Sequence, residues 1–409
     1  MPHSYRLIKT RLALMMFLQY IVMGAIWPII SLYLKQVLGF TGQQAGMILA
    51  MSAVAAFISP VVGSCIADRL ISAERLLSLC HFLAAGSMIG MSVQTHFTTV
   101  LVFYLAYTLS MGPTVPLTNA ITFHHAPTGQ RKFGHTRVWG TLAWVVVAWG
   151  FGYGWLGRIG SHAQLSRLPD ALTLSALASL TLGFYSLTLP RVDKRITGPI
   201  RLFPRESLTI FRQSRVQVIA VVSLLVGIID RYYYFGTAPF LKHLGYAEGL
   251  IMPLMSAGQI TEILGMYLLA PVLAKLGTQR TLLLGLLAEI GRFSAFAWGS
   301  SPLVILLGNA CHGLAYTFYF TAVYITLDSF CDRRSRTGLH QLFTIITSGF
   351  GALCANLLGG ACMDHFVSKP SQAHYQSFWL VPMALAIGSV VIIACLFKEQ
   401  DRNIPEGRE

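Results

Sequence analysis

Apolar residues run along this chain in long stretches separated by short polar breaks. The stretch from Leu12 to Leu34 (LALMMFLQYIVMGAIWPIISLYL) is typical. A helix rising 1.5 Å per residue needs roughly 20 such residues to cross a bilayer. Reading runs and breaks places spans near 12–34, 43–66, 76–95, 98–123, 137–157 and 170–190. A second set follows near 216–241, 249–274, 281–300, 302–327, 338–362 and 376–397. The pattern predicts an all-α polytopic membrane protein of twelve transmembrane helices in two six-helix bundles. Between the sets lies RVDKRITGPIRLFPRESLTIFRQSR, the longest polar stretch. Residues 1–190 thus read as an N-terminal bundle, 191–215 as a basic cytoplasmic linker, and 216–409 as a C-terminal bundle.

Composition agrees with this pattern. Of 409 residues 54% are hydrophobic and 11% charged, where a soluble domain carries roughly 25% charged residues. The first run is too long for a secretory leader, has no small-residue cleavage site, and is followed closely by the next span, so residues 10–34 read as a first span. The seven cysteines lie singly, without metal-ligand spacing. They read as small core residues, giving neither a disulfide framework nor a metal site.

The net charge of +14 changes the picture only through its distribution. If the N-terminus is cytoplasmic, that side collects Arg6, Lys9, Arg11, Arg69, Arg75, Arg131 and Lys132. It also takes the linker cations, Lys275, Arg280, Arg333, Arg334, Arg336, Lys398, Arg402 and Arg408. The other side keeps Lys35, Arg158, Arg167, Lys242 and Lys369. Cytoplasmic loops are enriched in Lys and Arg, so both termini are expected inside, in a bacterial inner membrane. No basic face exists outside these loops, which argues against a nucleic-acid partner.

Each half repeats one device between its second and third spans. In the first half it is Ser64-Cys-Ile-Ala-Asp68-Arg69 followed by Arg75, in the second the degenerate Lys275-Leu-Gly277-Thr-Gln-Arg280. Parallel repeats of this kind build many transporters. Asp68 and Arg69 read as gating residues, since a carboxylate there can cap a helix N-terminus and hold neighbouring cytoplasmic ends together.

An ionisable side chain within a span costs roughly 2.5–3.5 kcal/mol on insertion scales, so each one needs a reason. Arg137, Thr141 and Trp144 are spaced i, i+4, i+7 and share a helix face suited to a planar, hydroxyl-bearing ligand. The structural alternative is that Arg137 snorkels to the surface and Trp144 meets lipid. Gln259 and Glu262 share another face, with no cation within a turn of Glu262. Such a carboxyl is protonated or lines a wet cavity, and a bond to a neighbouring helix is the alternative to a transport role. Asp230 and Arg231 are adjacent and expected on different sides of their helix. The cluster Tyr232, Tyr233, Tyr234 beside them could stack on a ring or form an interfacial belt. Glu289 and Arg292, spaced i, i+3, read as a structural pair.

Glycine and proline are frequent in the spans, at Trp27-Pro28, Ser59-Pro60, Gly112-Pro113 and Gly359-Gly360. They permit kinks and close helix contact. No phosphate-binding loop, HExxH or nucleophile elbow is present, so no enzymatic activity and no cofactor are expected.

Several separated segments resemble the nucleoside:proton symporter family of the major facilitator superfamily. They are Phe17-Leu-Gln19 with Gly24, Ala67-Asp68-Arg-Leu-Ile-Ser-Ala73 with Cys80-His81, and Arg137-Val-Trp-Gly-Thr141. Later come Gln259-Ile-Thr-Glu262, Arg292-Phe293 with Gly299, and Gly313-Leu-Ala-Tyr316. The resemblance implies a major facilitator-type fold and import of a nucleoside with a proton by alternating access. It implies that Arg137, Thr141, Gln259 and Glu262 bind ribose and base, with Trp144 where an aromatic is expected. Gln19, Tyr233, Tyr316 and Thr317 join the implied binding set, and Glu262 or Asp230 would carry the proton.

Two positions depart from the family pattern. Thr317 stands where the best-known members carry an aspartate, and Asp230 where a glutamine is expected, with Tyr233 in place of an asparagine. The carboxylate is thereby moved across the cavity with coupling kept, or the substrate differs, or diffusion is uncoupled. A sugar or oligosaccharide symporter and a non-transporting membrane sensor are the alternatives. The partners expected are solute, proton and bilayer, with the chain acting as a monomer.

Overall fold

A backbone in hydrocarbon must satisfy its N–H and C=O groups within its own segment, and the apolar stretches are accordingly helical. The computed structural model describes residues 3–67, 71–125, 130–192, 209–299, 301–332, 335–367 and 374–397. Asp68, Arg69 and most of the 191–215 linker lie outside the described residues. Among the described residues twelve long helical segments follow one another, short helical turns at 156–158 and 161–167 join the fifth to the sixth, and no strand occurs. They are α1 (3–37), α2 (Gly42–Ala67), α3 (Ala73–Ser92), α4 (97–125), α5 (130–155) and α6 (Asp170–Ser186). Then come α7 (Ser214–His243), α8 (248–276), α9 (278–298), α10 (302–329), α11 (336–367) and α12 (Tyr375–Leu396).

The helices overlap the apolar runs with shifted ends. α5 starts at 130 rather than 137 because its first turns, with Arg131, Lys132 and His135, are polar and escape a hydropathy reading. Breaks fall where the sequence places proline or glycine: at Trp27–Ile29 in α1, at Gly112-Pro113 in α4, and at Ser256 in α8. The α8–α9 turn is a single residue, Gly277, at φ 79°, a left-handed conformation that glycine adopts without steric cost. Among the described residues four π-helical segments, Tyr33–Val37, Gly150–Trp155, Tyr316–Thr321 and Ile345–Gly351, widen α1, α5, α10 and α11.

α1 packs on α5 and α6, and α3 on α4 and α6. α7 packs on α11 and α12, while α10 lies against α8 and α9. The buried apolar side chains form three clusters. One, with Leu12, Met16, Leu77, Leu117, Ala143 and Leu182, comes from α1–α6 alone. Another, with Val216, Val226, Leu286, Tyr319, Phe343 and Ile393, comes from α7–α12 alone. Both sit toward the end of the molecule that carries the chain termini. The third and largest lies toward the opposite end and mixes both sets, joining Ile29, Ala45, Met88 and Phe151 to Ile229, Met255, Met363 and Trp379. The core is therefore continuous at one end and divided at the other.

At the continuous end the helix backbones touch. Gly42 and Gly46 of α2 lie against Gly360 and Asn356 of α11. Asp364 of α11 accepts hydrogen bonds from the Gly42 and Gln43 N–H groups at 2.5 and 2.8 Å, capping the first turn of α2. Lys35 stands 4.0 Å from the same carboxylate. Across the molecule Gly152 of α5 meets Gly249 and Pro253 of α8, and Trp149 Nε1 donates to Ser256 Oγ at 2.9 Å.

Candidate functional site

Where the core divides, α1 and α5 face α8 and α10 across a cleft. The Arg137 guanidinium lies 4.1 Å from the centre of the Tyr20 ring, a cation–π contact between α5 and α1. Gly140 makes that approach feasible, because a methyl group there would come within 2.6 Å of Tyr20 and 2.8 Å of Arg137. Thr141 and Trp144 follow on the same face of α5, the first half-buried and the second buried.

Glu262 projects from the α8 side, near enough to feel the Arg137 charge. Among the described residues neither has an ion-pair partner in direct contact. α10 comes close behind α8 because Gly313 packs against the backbone of Gly258 and Glu262. Thr317, fully buried in that seam, donates to the Glu262 carbonyl at 3.3 Å. Its neighbour Tyr316 retains 37% exposure while lying within electrostatic reach of Glu262, Arg137 and Tyr20. The surface that Tyr316 keeps open thus faces the cleft. Gln259, one turn before Glu262, is buried, and among the described residues its Oε1 has no hydrogen-bond partner to offset its desolvation.

Deeper toward the continuous end, aromatic rings close the cleft. Trp27 meets Trp144 edge-on at 6.1 Å and Tyr234 at 6.3 Å. The Arg231 guanidinium lies 4.5 Å from the Trp27 ring centre, and its Nε is 3.7 Å from Asp230 Oδ2. The adjacent pair does not diverge as expected. The long arginine side chain reaches back to its neighbour, and mutual neutralisation in a poorly hydrated setting outweighs the 100° between their positions.

Other expected site residues are placed elsewhere. Gln19 has no exposure: its Nε2 donates to Thr114 Oγ1 at 2.9 Å, and its Oε1 faces His81 Nε2 at 3.0 Å. Tyr233 points into the packing of α7 against α9 and α10, donating to Asn309 Oδ1 at 3.0 Å and stacking on His312 at 4.8 Å. Glu289 and Arg292 form the expected ion pair, fully buried behind it. The structure thus brings Arg137, Glu262 and Tyr316 to the cleft, keeps Gln259 buried one turn away on α8, and lodges Gln19, Tyr233 and Thr317 in helix seams.

Sequence reasoning left Tyr20, Trp27 and His312 without a role at the site, and read Tyr234 only as part of a tyrosine cluster that stacks on a ring or forms a belt. Trp27 was legible only as half of a Trp-Pro kink, although the kink is what turns its ring inward. His312 carried a usable signal, an imidazole within an apolar run, which in a span needs a partner.

Comparison with known proteins bears on the family and the fold. The sequence profile of the family described as "Nucleoside H+ symporter" matches residues 7–402. YegT of Escherichia coli K12, to which nucleoside transport is provisionally ascribed, is 30% identical over 407 residues, spanning 96% of this chain and 95% of that one. The xanthosine permease of the same organism is 27% identical, covering 96% of each chain. The solved structure of nucleoside transporter NupG superposes with a TM-score of 0.82 at 22% identity, covering 96% of this chain and 100% of that one.

Proposed function

The chain belongs to the nucleoside H+ symporter family, and from that premise we propose that it imports nucleosides together with protons by alternating access across a bacterial inner membrane. It has the major facilitator-type fold and is a transporter, not an enzyme. Residues 1–190 and 216–409 act as two rigid bundles joined by the 191–215 linker, with both termini in the cytoplasm. On that orientation the continuous end of the core faces outward and the divided end faces inward, so the structure corresponds to an inward-open state. One chain encloses the pathway, so a monomer suffices.

The observation that carries this reading is Glu262: a carboxyl at the cleft that, among the described residues, no cation directly pairs, with Arg137 near it and Gln259, whose Oε1 has no partner among those residues, one turn away. Asp230 is already paired with Arg231, which leaves Glu262 as the proton carrier. Arg137, Thr141 and Gln259 hydrogen-bond the ribose and base, while Trp27, Trp144 and Tyr316 supply ring faces. Asp68 and Arg69 serve the cytoplasmic gate.

Cells lacking their own nucleoside carriers test the reading. Expression should produce uptake of labelled uridine or adenosine that excess unlabelled nucleoside blocks and excess sugar does not. Absence of uptake with the protein present in the membrane would overturn the nucleoside assignment.

The cycle also requires the outer ends of α2 and α11 to meet and part. A methyl group on Gly360 would press into the Gly42 carbonyl group and lie 3.2 Å from Gln43 Cα, whereas at Gly388 it meets nothing within 4 Å. Gly360→Ala should therefore lower the uptake rate about tenfold, taking about 1.4 kcal/mol of strain in the closed contact. Gly388→Ala should leave uptake unchanged. Equal rates for the two variants would argue that outer closure is not part of turnover.

A further inference from the structure

One buried polar chain is not used by the reading above. Arg292, paired with Glu289, places its Nη1 2.6 Å from His312 Nδ1. The other ring nitrogen, Nε2, is 3.3 Å from the Tyr234 hydroxyl. A guanidinium has only donors, so His312 Nδ1 must accept. The ring proton then sits on Nε2 and is donated to the phenol oxygen. That leaves the Tyr234 hydrogen to point away from His312, and among the described residues it has no acceptor.

Tyr234 also lies where the two sets of helices meet. It packs against the mixed outer cluster and against the cluster built from α1–α6 alone. Its ring stands edge-on to Trp27, which is edge-on to Trp144. A free phenol rotates between donating and accepting, so it tolerates either an N–H or a carbonyl opposite it. The Arg292–His312 pair removes that freedom.

We infer that Tyr234 is a specificity-determining residue, a hydrogen-bond donor of fixed direction that recognises an acceptor atom on the nucleobase, either a carbonyl oxygen or an unprotonated ring nitrogen. The assignment rests on the nucleoside reading and deepens it. The base is the moiety concerned because Tyr234 belongs to an aromatic patch, edge-on to Trp27, which is itself edge-on to Trp144, whereas Arg137, Gln259 and Glu262 offer groups suited to hydroxyls. A base presenting only an N–H at this point would leave two donors opposed and unpaired, a mismatch that hydrogen-bonding sites reject strongly. His312 is a positioning residue, acting through the tyrosine.

The test measures KM for uptake of uridine and adenosine and of analogues lacking one base acceptor each. These are the pyridin-2-one riboside, which lacks the 4-oxygen and puts no ring-nitrogen acceptor in its place, and the 1-, 3- and 7-deazaadenosines. Parent, Tyr234→Phe, His312→Leu and His312→Gln are compared at matched membrane abundance. Tyr234→Phe should raise KM about tenfold for a nucleoside bearing the recognised acceptor and hardly at all for the analogue lacking it. The two losses should be non-additive, as expected of groups in contact. His312→Gln keeps an acceptor for Arg292 and a donor for Tyr234, so it should retain the discrimination that His312→Leu loses. If His312→Leu does not reach the membrane, Tyr234→Phe decides alone. A KM within about twofold of parent for every nucleoside, or losses that add for every analogue, would overturn the assignment. No nucleoside uptake by the parent would overturn the nucleoside reading itself, a result distinguishable from either.

Discussion

Glutamine in place of Glu262 is expected to convert a concentrating transporter into one that at best equilibrates its substrate. The substitution keeps size and hydrogen-bonding capacity but removes, among the described residues, the carboxyl at the cleft that no cation directly neutralises. A carboxylate out of bulk water is poorly solvated, so it changes charge by gaining or losing a proton rather than by standing charged and alone. In the proposed cycle Glu262 takes a proton in the outward-open state and the site closes over nucleoside. Once the inner side opens and the proton leaves, attraction to Arg137 holds the carboxylate. Glu262→Gln should therefore retain exchange of labelled for unlabelled nucleoside while losing accumulation against a gradient. Asp230→Asn is the contrast. It leaves Arg231 over Trp27 without its partner, which should slow uptake yet keep sensitivity to a protonophore. If Asp230→Asn uncouples and Glu262→Gln does not, the proton is carried on α7 instead of α8.

Loss of Arg137 should be almost as severe, by a different route. Its guanidinium is held over Tyr20 by a contact that Gly140 makes possible, and it supplies several donors in one plane. Arg137→Ala removes a charge-assisted hydrogen bond worth about 1.5–3 kcal/mol, so transport efficiency should fall about 10–150-fold. Arg137→Lys restores the charge without the planar fork and should recover only part of that loss. Radiolabel uptake at several substrate concentrations separates a KM effect from a rate effect. Full activity of Arg137→Lys would show that charge alone, not geometry, is required.

Much of the fold was legible because hydrocarbon imposes a single rule. Every span must be a helix about 20 residues long, and polar breaks mark where the chain returns to water. Proline and glycine positions also announced the breaks in α1 and α4 and the Gly277 turn. The site was legible only in part. Arg137 and Glu262 stood out because isolated charges in apolar runs demand an explanation. Tyr20 and Trp27 did not, since aromatic residues are ordinary in membrane helices and only the Trp27–Ile29 break turns this ring inward. Side-chain reach was the other hidden variable. Asp230 and Arg231 seemed bound to diverge, yet a flexible arginine folds back to its neighbour. Gln19 joined the binding set through the family resemblance, but His81 and Thr114, distant in sequence, already occupy its amide.

The central claim is that nucleoside and proton move together. Purified protein in proteoliposomes, with a pH gradient imposed and no other energy source, tests it most directly. Labelled nucleoside should accumulate inside above the external concentration when the exterior is acidic. The gradient should collapse on adding a protonophore, and Glu262→Gln should only equilibrate. Equal internal and external nucleoside with the parent protein, whether or not the pH gradient is present, would contradict the account and leave a facilitator in its place.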